Sequence, residues 1–166
     1  MVGIIDDPKF WEKENMENKE TTLSDKRSGC RMMDYGNTDS YNSEPWILKM
    51  FDGWFDPCPY DDNPELDGLT IDWKNKTYVN PPYSKPMPWI EKAIEESKKG
   101  KLVVMLLKVD TSTRWFAKIH ESKAKILWIN GMLRYRKNSY KRFDNTPVPW
   151  ASMLVIFEGK ELGGGA

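Results

Sequence analysis

From residue 12 to residue 44 the chain is crowded with Glu, Lys, Asn, Asp, Ser and Thr and shows almost no apolar periodicity; from Pro45 onward short apolar runs recur, cut by prolines and glycines. A polar stretch cannot bury enough apolar surface to offset the entropy of ordering it. Residues 1 to 40 are therefore expected to be a polar arm, partly disordered, ahead of a folded region spanning 41 to 160 and a tail from 161 to 166. Within that region Met50 to Phe55, MFDGWF, stops at Asp56-Pro57-Cys58-Pro59 and predicts a strand. Tyr78-Val79, bounded by Asn80-Pro81-Pro82-Tyr83, predicts a second. From Pro88 to Lys99, Trp89, Ile90, Ala93 and Ile94 share one helical face, Glu95 and Lys99 are spaced for an ion pair, and Gly100 ends the helix. Leu102 to Leu107, LVVMLL, is apolar without alternation, as expected of a strand covered on both faces. Thr111 to Ser122 predicts another helix, Ile126 to Ile129 another strand, and Met153 to Phe157 a last buried one.

This alternation predicts an α/β fold: a mostly parallel sheet with helices on both faces and right-handed crossovers. Ligands of such sheets lie outside the carboxyl ends of the strands, at a switch point. The loops that begin at Asp56 and Asn80 both follow predicted strands, so both should face one crevice. Only 24 positions separate those residues, and each further strand-plus-helix unit needs about 30 residues. The sheet is therefore a reduced one, about five strands plus a hairpin or loop.

Composition narrows the function classes. The 166 residues suffice for one core, and Lys+Arg and Asp+Glu both number 25, so nucleic acid would have to be met by a local basic patch. Cys30 and Cys58 offer neither a disulfide framework nor metal-ligand spacing, and no metal is expected. The single histidine, His120, reads as an ordinary helix-surface residue. With no signal peptide and no long apolar span, a cytoplasmic protein without membrane contact is expected.

The Asn80-Pro81-Pro82-Tyr83 loop carries the most specific chemistry. Two successive prolines donate no backbone N–H and stiffen the loop. An exocyclic amine on an aromatic ring is a poor nucleophile because its lone pair is delocalised. Accepting both its hydrogens, at the Asn80 amide oxygen and the Pro81 carbonyl, would favour a pyramidal nitrogen with a usable lone pair. Tyr83 could stack on a base swung out of its helix. The plainer reading is a rigid turn with a tyrosine packed on proline. Residues 131 to 142, GMLRYRKNSYKR, interleave basic residues and tyrosines, and Arg134, Arg136 and Lys137 there, with Lys108 and Arg114, are candidate phosphate contacts. A solvated, charge-rich loop is the alternative.

The Asn-Pro-Pro-Tyr loop resembles the catalytic motif of amino-methyltransferases. From about Tyr41 to Phe157 the chain is similar to the phage-type DNA N-6-adenine methyltransferase family: Asp56-Pro57-Cys58-Pro59 with Asn63, Asp67-Gly68-Leu69 with Trp73, Trp89 to Ala93, Leu106-Leu107, Asp110-Thr111, Thr113 with Trp115-Phe116, Gly131-Met132-Leu133 and Pro147 to Phe157 fall in order. The resemblance implies a Rossmann-like methyltransferase sheet and methyl transfer from S-adenosylmethionine to the N-6 amine of adenine in DNA, without a metal and with no obligate protein partner. It implies catalytic roles for Asn80, Pro81, Pro82 and Tyr83. It implies cofactor contacts at Glu44, Pro45, Asp56, Pro57, Cys58, Asn63 and Asp72, with Asp56 by the amino acid end and Asp72 near the ribose or adenine. The chain departs from the family in having Glu44 where a threonine precedes the proline, and Met132 where Gly-Arg-Leu is usual. Methyl transfer to RNA or a protein glutamine, and an inactive nucleic-acid-binding relative, are the alternatives.

Overall fold

The computed structural model of the protein describes residues 2–6, 43–59, 67–134 and 147–159. Five strands form one sheet: β1 (Val2–Asp6), β2 (Lys76–Val79), β3 (Leu102–Lys108), β4 (Lys125–Asn130) and β5 (Ser152–Glu158), in spatial order β1-β4-β5-β3-β2. Three helices accompany them: α1 (Pro45–Met50), α2 (Met87–Lys98) and α3 (Arg114–Glu121). The α/β class holds. The expectation of a mostly parallel sheet is met in part: β1–β4 and β2–β3 pair parallel and these four strands run the same way, while β5 runs antiparallel between β3 and β4. An unbroken apolar run such as MLVIF records that both faces are covered and carries no information on strand direction.

Alternation along β3 explains how one sheet serves two cores. Val103, Met105 and Leu107 face Trp89, Ile90 and Ala93 of α2 and Trp115 and Ile119 of α3. Val104 and Leu106 face the other way, into a smaller cluster with Ile47 of α1, Tyr78, Ile129, Leu133 and Leu154. Helices thus lie on both faces. Helix α2 forms where predicted, and α3 starts later than the predicted Thr111 because Asp110 to Ser112 make a turn: the Asp110 carboxylate accepts from the Ser112 hydroxyl at 2.6 Å, and Thr113 caps the helix by accepting from the Phe116 N–H at 3.3 Å.

Two other expectations change. Met50 to Phe55 is no strand: Met50 ends α1, a turn follows with Gly53 at φ 76°, and only Phe55 reaches the sheet, in a single parallel bridge to Thr77. Pro45 at the first turn favours helix there, and Phe51 and Trp54 enter the smaller core from the turn. The segment expected to be a polar arm opens with β1, which pairs with β4 from Val2↔Ile126 to Asp6↔Asn130. The apolar residues of VGIID were too few to stand out before a long polar tract. Residues 7–42 lie outside the described residues, as does the tail from 160. No helix among the described residues is long and apolar enough to cross a membrane.

Candidate active site

β2, β3 and β4 point the same way, since β5 is antiparallel to β3 and β4 and β2 is parallel to β3. Their carboxyl ends release Asn80, Lys108 and Gly131 along one edge of the sheet. The Phe55 bridge extends this edge, because it runs parallel to β2 and hands the chain to Asp56 beyond it. Neighbouring strands are about 4.8 Å apart, so the Asp56 and Asn80 loops emerge side by side, as the sequence suggested.

Asn80 is tied from below. Its Nδ2 donates to the Ser43 hydroxyl at 3.2 Å, and the Ser43 and Tyr78 hydroxyls share a hydrogen bond at 2.8 Å. Ser43 and Tyr78 are both 3% exposed, so these polar groups are matched in a dry layer under the loop. The Tyr78 ring stacks on Phe51 at 4.5 Å with planes 12° apart, which fixes where its hydroxyl points. Pro81 is buried, and Tyr83 meets Trp150 edge-on at 6.0 Å. Ser43 had no signal of its own: one serine at the end of a polar tract has neither periodicity nor motif to mark it. Tyr78 read only as a strand residue.

Asp56 is the site's carboxylate. Its Oδ1 accepts from the Cys58 N–H at 2.8 Å, and burial pushes its pKa from the ordinary 3.8 up to about 6, the Cys58 hydrogen bond opposing. No lysine or arginine among the described residues pairs with it. Burial, with Asp56 next to it, pushes the Cys58 thiol up to about 12, which keeps the sulfur protonated and unreactive. The loop is braced from behind by Gly68. A Cβ there would lie 1.9 Å from the Pro57 carbonyl oxygen and 2.9 Å from the Trp89 ring, and the Gly68 carbonyl accepts from the Trp73 indole at 2.7 Å.

Glu44 does not point at Asp56. One of its oxygens accepts from the Trp46 indole at 3.0 Å and the other from the backbone N–H of Arg134, so its carboxylate ties the start of α1 to the segment after β4. Pro45 is exposed at the first position of α1. Asp72 lies elsewhere: it precedes β2, at the opposite edge of the sheet, where its side chain is 76% exposed and pairs with Lys99 at 3.0 Å. Lys108 sits at the carboxyl end of β3, 3.6 Å from Asp110, and Arg114 is exposed on the first turn of α3. Asn63, Arg136 and Lys137 lie outside the described residues. His120 is an exposed helix residue. Among the described residues no group of three or more His, Cys, Asp or Glu could hold a metal ion.

These features define a class: an α/β protein whose sheet edge presents a stiff amide-bearing loop beside a desolvated carboxylate. The family model for DNA N-6-adenine-methyltransferase (Dam) matches residues 58–162, and the chain belongs to that family. It is 33% identical over 152 residues to the DNA N-6-adenine-methyltransferase of Haemophilus phage HP1 (strain HP1c1), a match covering 78% of this chain and 87% of that protein. Over 61 residues it is 43% identical to the DNA N-6-adenine-methyltransferase of Escherichia phage T1, covering 36% of this chain and 26% of that protein. No solved structure matches the chain. The family read from the sequence is the family found.

Proposed function

We propose that this protein is a DNA adenine methyltransferase that moves a methyl group from S-adenosylmethionine to the N-6 amine of adenine, on a reduced Rossmann-like sheet. The carrying observation is the position of Asn80-Pro81-Pro82-Tyr83 at the carboxyl edge, with its amide held by Ser43. Family membership supports the substrate.

The cofactor fits the Asp56 loop on chemical grounds. A carboxylate held above its usual pKa by burial, with no cation beside it among the described residues, is ready to receive an ammonium. Asp56 would take that ammonium, with Pro57 and Cys58 forming the adjoining wall and Glu44 and Pro45 fixing the chain that enters α1. S-adenosylmethionine supplies an electrophilic methyl on sulfonium. The chain's own part is to present the amine. Asn80 Oδ1 and the Pro81 carbonyl accept its two hydrogens, and Tyr83 stacks on the extruded base while its edge contact with Trp150 holds the ring upright. The proton lost from the methylated nitrogen would pass to solvent, since the Asn80 amide oxygen and the Pro81 carbonyl accept hydrogen bonds but are too weakly basic to keep it. Lys108, Arg114 and Arg134 lie on the same edge and would meet the DNA backbone.

The test is transfer of labelled methyl from S-adenosylmethionine to unmethylated DNA, followed by digestion and identification of the nucleoside. N-6-methyladenine is expected; label in RNA or protein but not in DNA would overturn the reading. Asn80→Ala should lower the transfer rate by about 10²- to 10³-fold while sparing cofactor affinity. Equal loss of both would remove the role assigned to Asn80.

A further inference from the structure

A base drawn out of a duplex leaves a gap in the stack, and an apolar side chain that enters the gap offsets part of the lost stacking. Such a side chain has to be large, exposed before DNA arrives, and carried by backbone that does not yield. Among the described residues three large apolar side chains are exposed: Leu48, Met50 and Met132. Leu48 and Met50 belong to α1, whose Ile47 packs on one face of the sheet. Met132, 53% exposed, alone follows the carboxyl end of a strand, β4, on the edge that also releases Asn80. A single exposed methionine is ordinary on a protein surface; the way its backbone is held sets this one apart.

We propose that Met132 is the wedge that enters the DNA stack as the target adenine leaves it. The inference rests on the function proposed above. Asn130, just before the segment, is paired with Asp6 of β1, and Gly131 turns the chain out of β4 at φ 100°, a conformation that suits glycine. Immediately after Met132, Leu133 is fully buried in the smaller core and its carbonyl accepts from the Val148 N–H at 2.9 Å. The next N–H, that of Arg134, donates to the Glu44 carboxylate. Met132 therefore projects from backbone anchored on both sides. Glu44 adjoins Ser43, which is hydrogen-bonded to the Asn80 amide at 3.2 Å, so neighbouring residues tie the Met132 segment and the Asn80 loop to one anchor. β4 lies three places from β2 in the sheet, about 14 Å at the usual strand spacing and close to the roughly 12 Å width of a major groove. One duplex lying along the edge would meet both. Methionine suits the task, because its unbranched, polarizable chain fills irregular gaps and packs well on aromatic rings.

Met132 belongs to neither core, so Met132→Ala should fold as the wild type does. The adenine that the wild type methylates is first located by sequencing, and duplexes are prepared that carry it opposite thymine or opposite an abasic site. On the paired duplex Met132→Ala should lower kcat/KM about tenfold with the Kd for S-adenosylmethionine unchanged, and Met132→Leu should recover most of that loss. Opposite the abasic site the base is unpaired and leaves the stack more readily, so the deficit of Met132→Ala should shrink to about twofold or less. A second readout needs no methyl transfer: with 2-aminopurine in place of the target adenine, the fluorescence rise on binding reports extrusion and should be smaller for Met132→Ala. An equal deficit on the two duplexes, unchanged transfer on the paired one, or a fluorescence rise equal to the wild type's overturns the inference and leaves the proposed function standing. A weakened cofactor Kd overturns it too, by placing Met132 against the cofactor. A wild type that labels no DNA overturns the proposed function and this inference with it.

Discussion

Two carboxylates lie below the surface at opposite edges of the same sheet, and their surroundings differ in kind. At the carboxyl edge Asp56 has one backbone N–H for company, and burial lifts its pKa to about 6. At the amino edge Glu96, on the last turns of α2 and 0% exposed, is subject to the same desolvation, but Lys92 and Lys99 at 2.9 Å and Lys101 at 2.5 Å overcome it and bring its pKa down to about 2. Asp72 joins the same network through Lys99, which draws its pKa down, and Lys125 pairs with Glu158 at 2.5 Å along that edge. One edge has its charges matched by the chain itself. At the other, no cation among the described residues matches Asp56, the kind of carboxylate environment from which the proposed cofactor contact is argued.

The largest effect should come from breaking the matched edge. Glu96→Gln leaves three lysines around a neutral amide and should cost roughly 3 kcal/mol of stability at pH 7, read by urea unfolding, with the Kd for S-adenosylmethionine unchanged. A parallel loss of cofactor affinity would mean that the two edges are not independent. In the wild type the Glu96 contribution is complete above its unfolded pKa near 4.5 and is lost as pH falls toward about 2.

Asp56 has the opposite sign. Its folded pKa lies above its unfolded 3.8, so the folded state keeps this proton longer and the unliganded protein loses stability as pH rises from about 4 to about 6. Over the same window cofactor affinity should rise, as the ionised form that receives the ammonium appears. Asp56→Asn should weaken cofactor binding by about 1.5–3 kcal/mol, flatten its pH dependence between pH 5 and about 7, and make the unliganded protein more stable at pH 8. Calorimetric titration and thermal unfolding across that range measure both. A variant that binds cofactor as the wild type does removes Asp56 from the site. The smallest effect is expected at Lys108→Ala, which should lower the salt dependence of DNA binding by about one unit of log–log slope without changing the base methylated.

The same contrast explains what could be read from the sequence. Helix α2, strand β3 and the two edge loops were legible, because apolar runs and proline-bounded breaks are local signals. Helix α1 drew no expectation, because its six residues are too few to show a helical period and the expected strand began only at its last residue, Met50; β1 was too short to separate from the polar tract behind it. The direction of β5 has no local signature at all. At the site, Asn80 and Asp56 announced themselves through Asn-Pro-Pro-Tyr and Asp-Pro, whereas Ser43 matters only through two contacts across the fold. Asp72 shows the converse: the family resemblance suggested it near the cofactor's ribose or adenine, and its pairing with Lys99 and Lys101 is set by tertiary geometry that no local pattern records.

The antiparallel strand in the middle of the sheet has a consequence for how the protein is made. β5 comes later in the chain than every strand it joins, yet it alone connects β3 to β4, and β1 reaches the sheet only through β4. A chain emerging from the ribosome therefore carries β2–β3 and β1–β4 as two half-sheets, each with an open edge, until Ser152–Glu158 arrives to close both at once. Such a closure is long-range and slow, and the open edges of β3 and β4 are where a chaperone and an early aggregate would compete for the nascent chain.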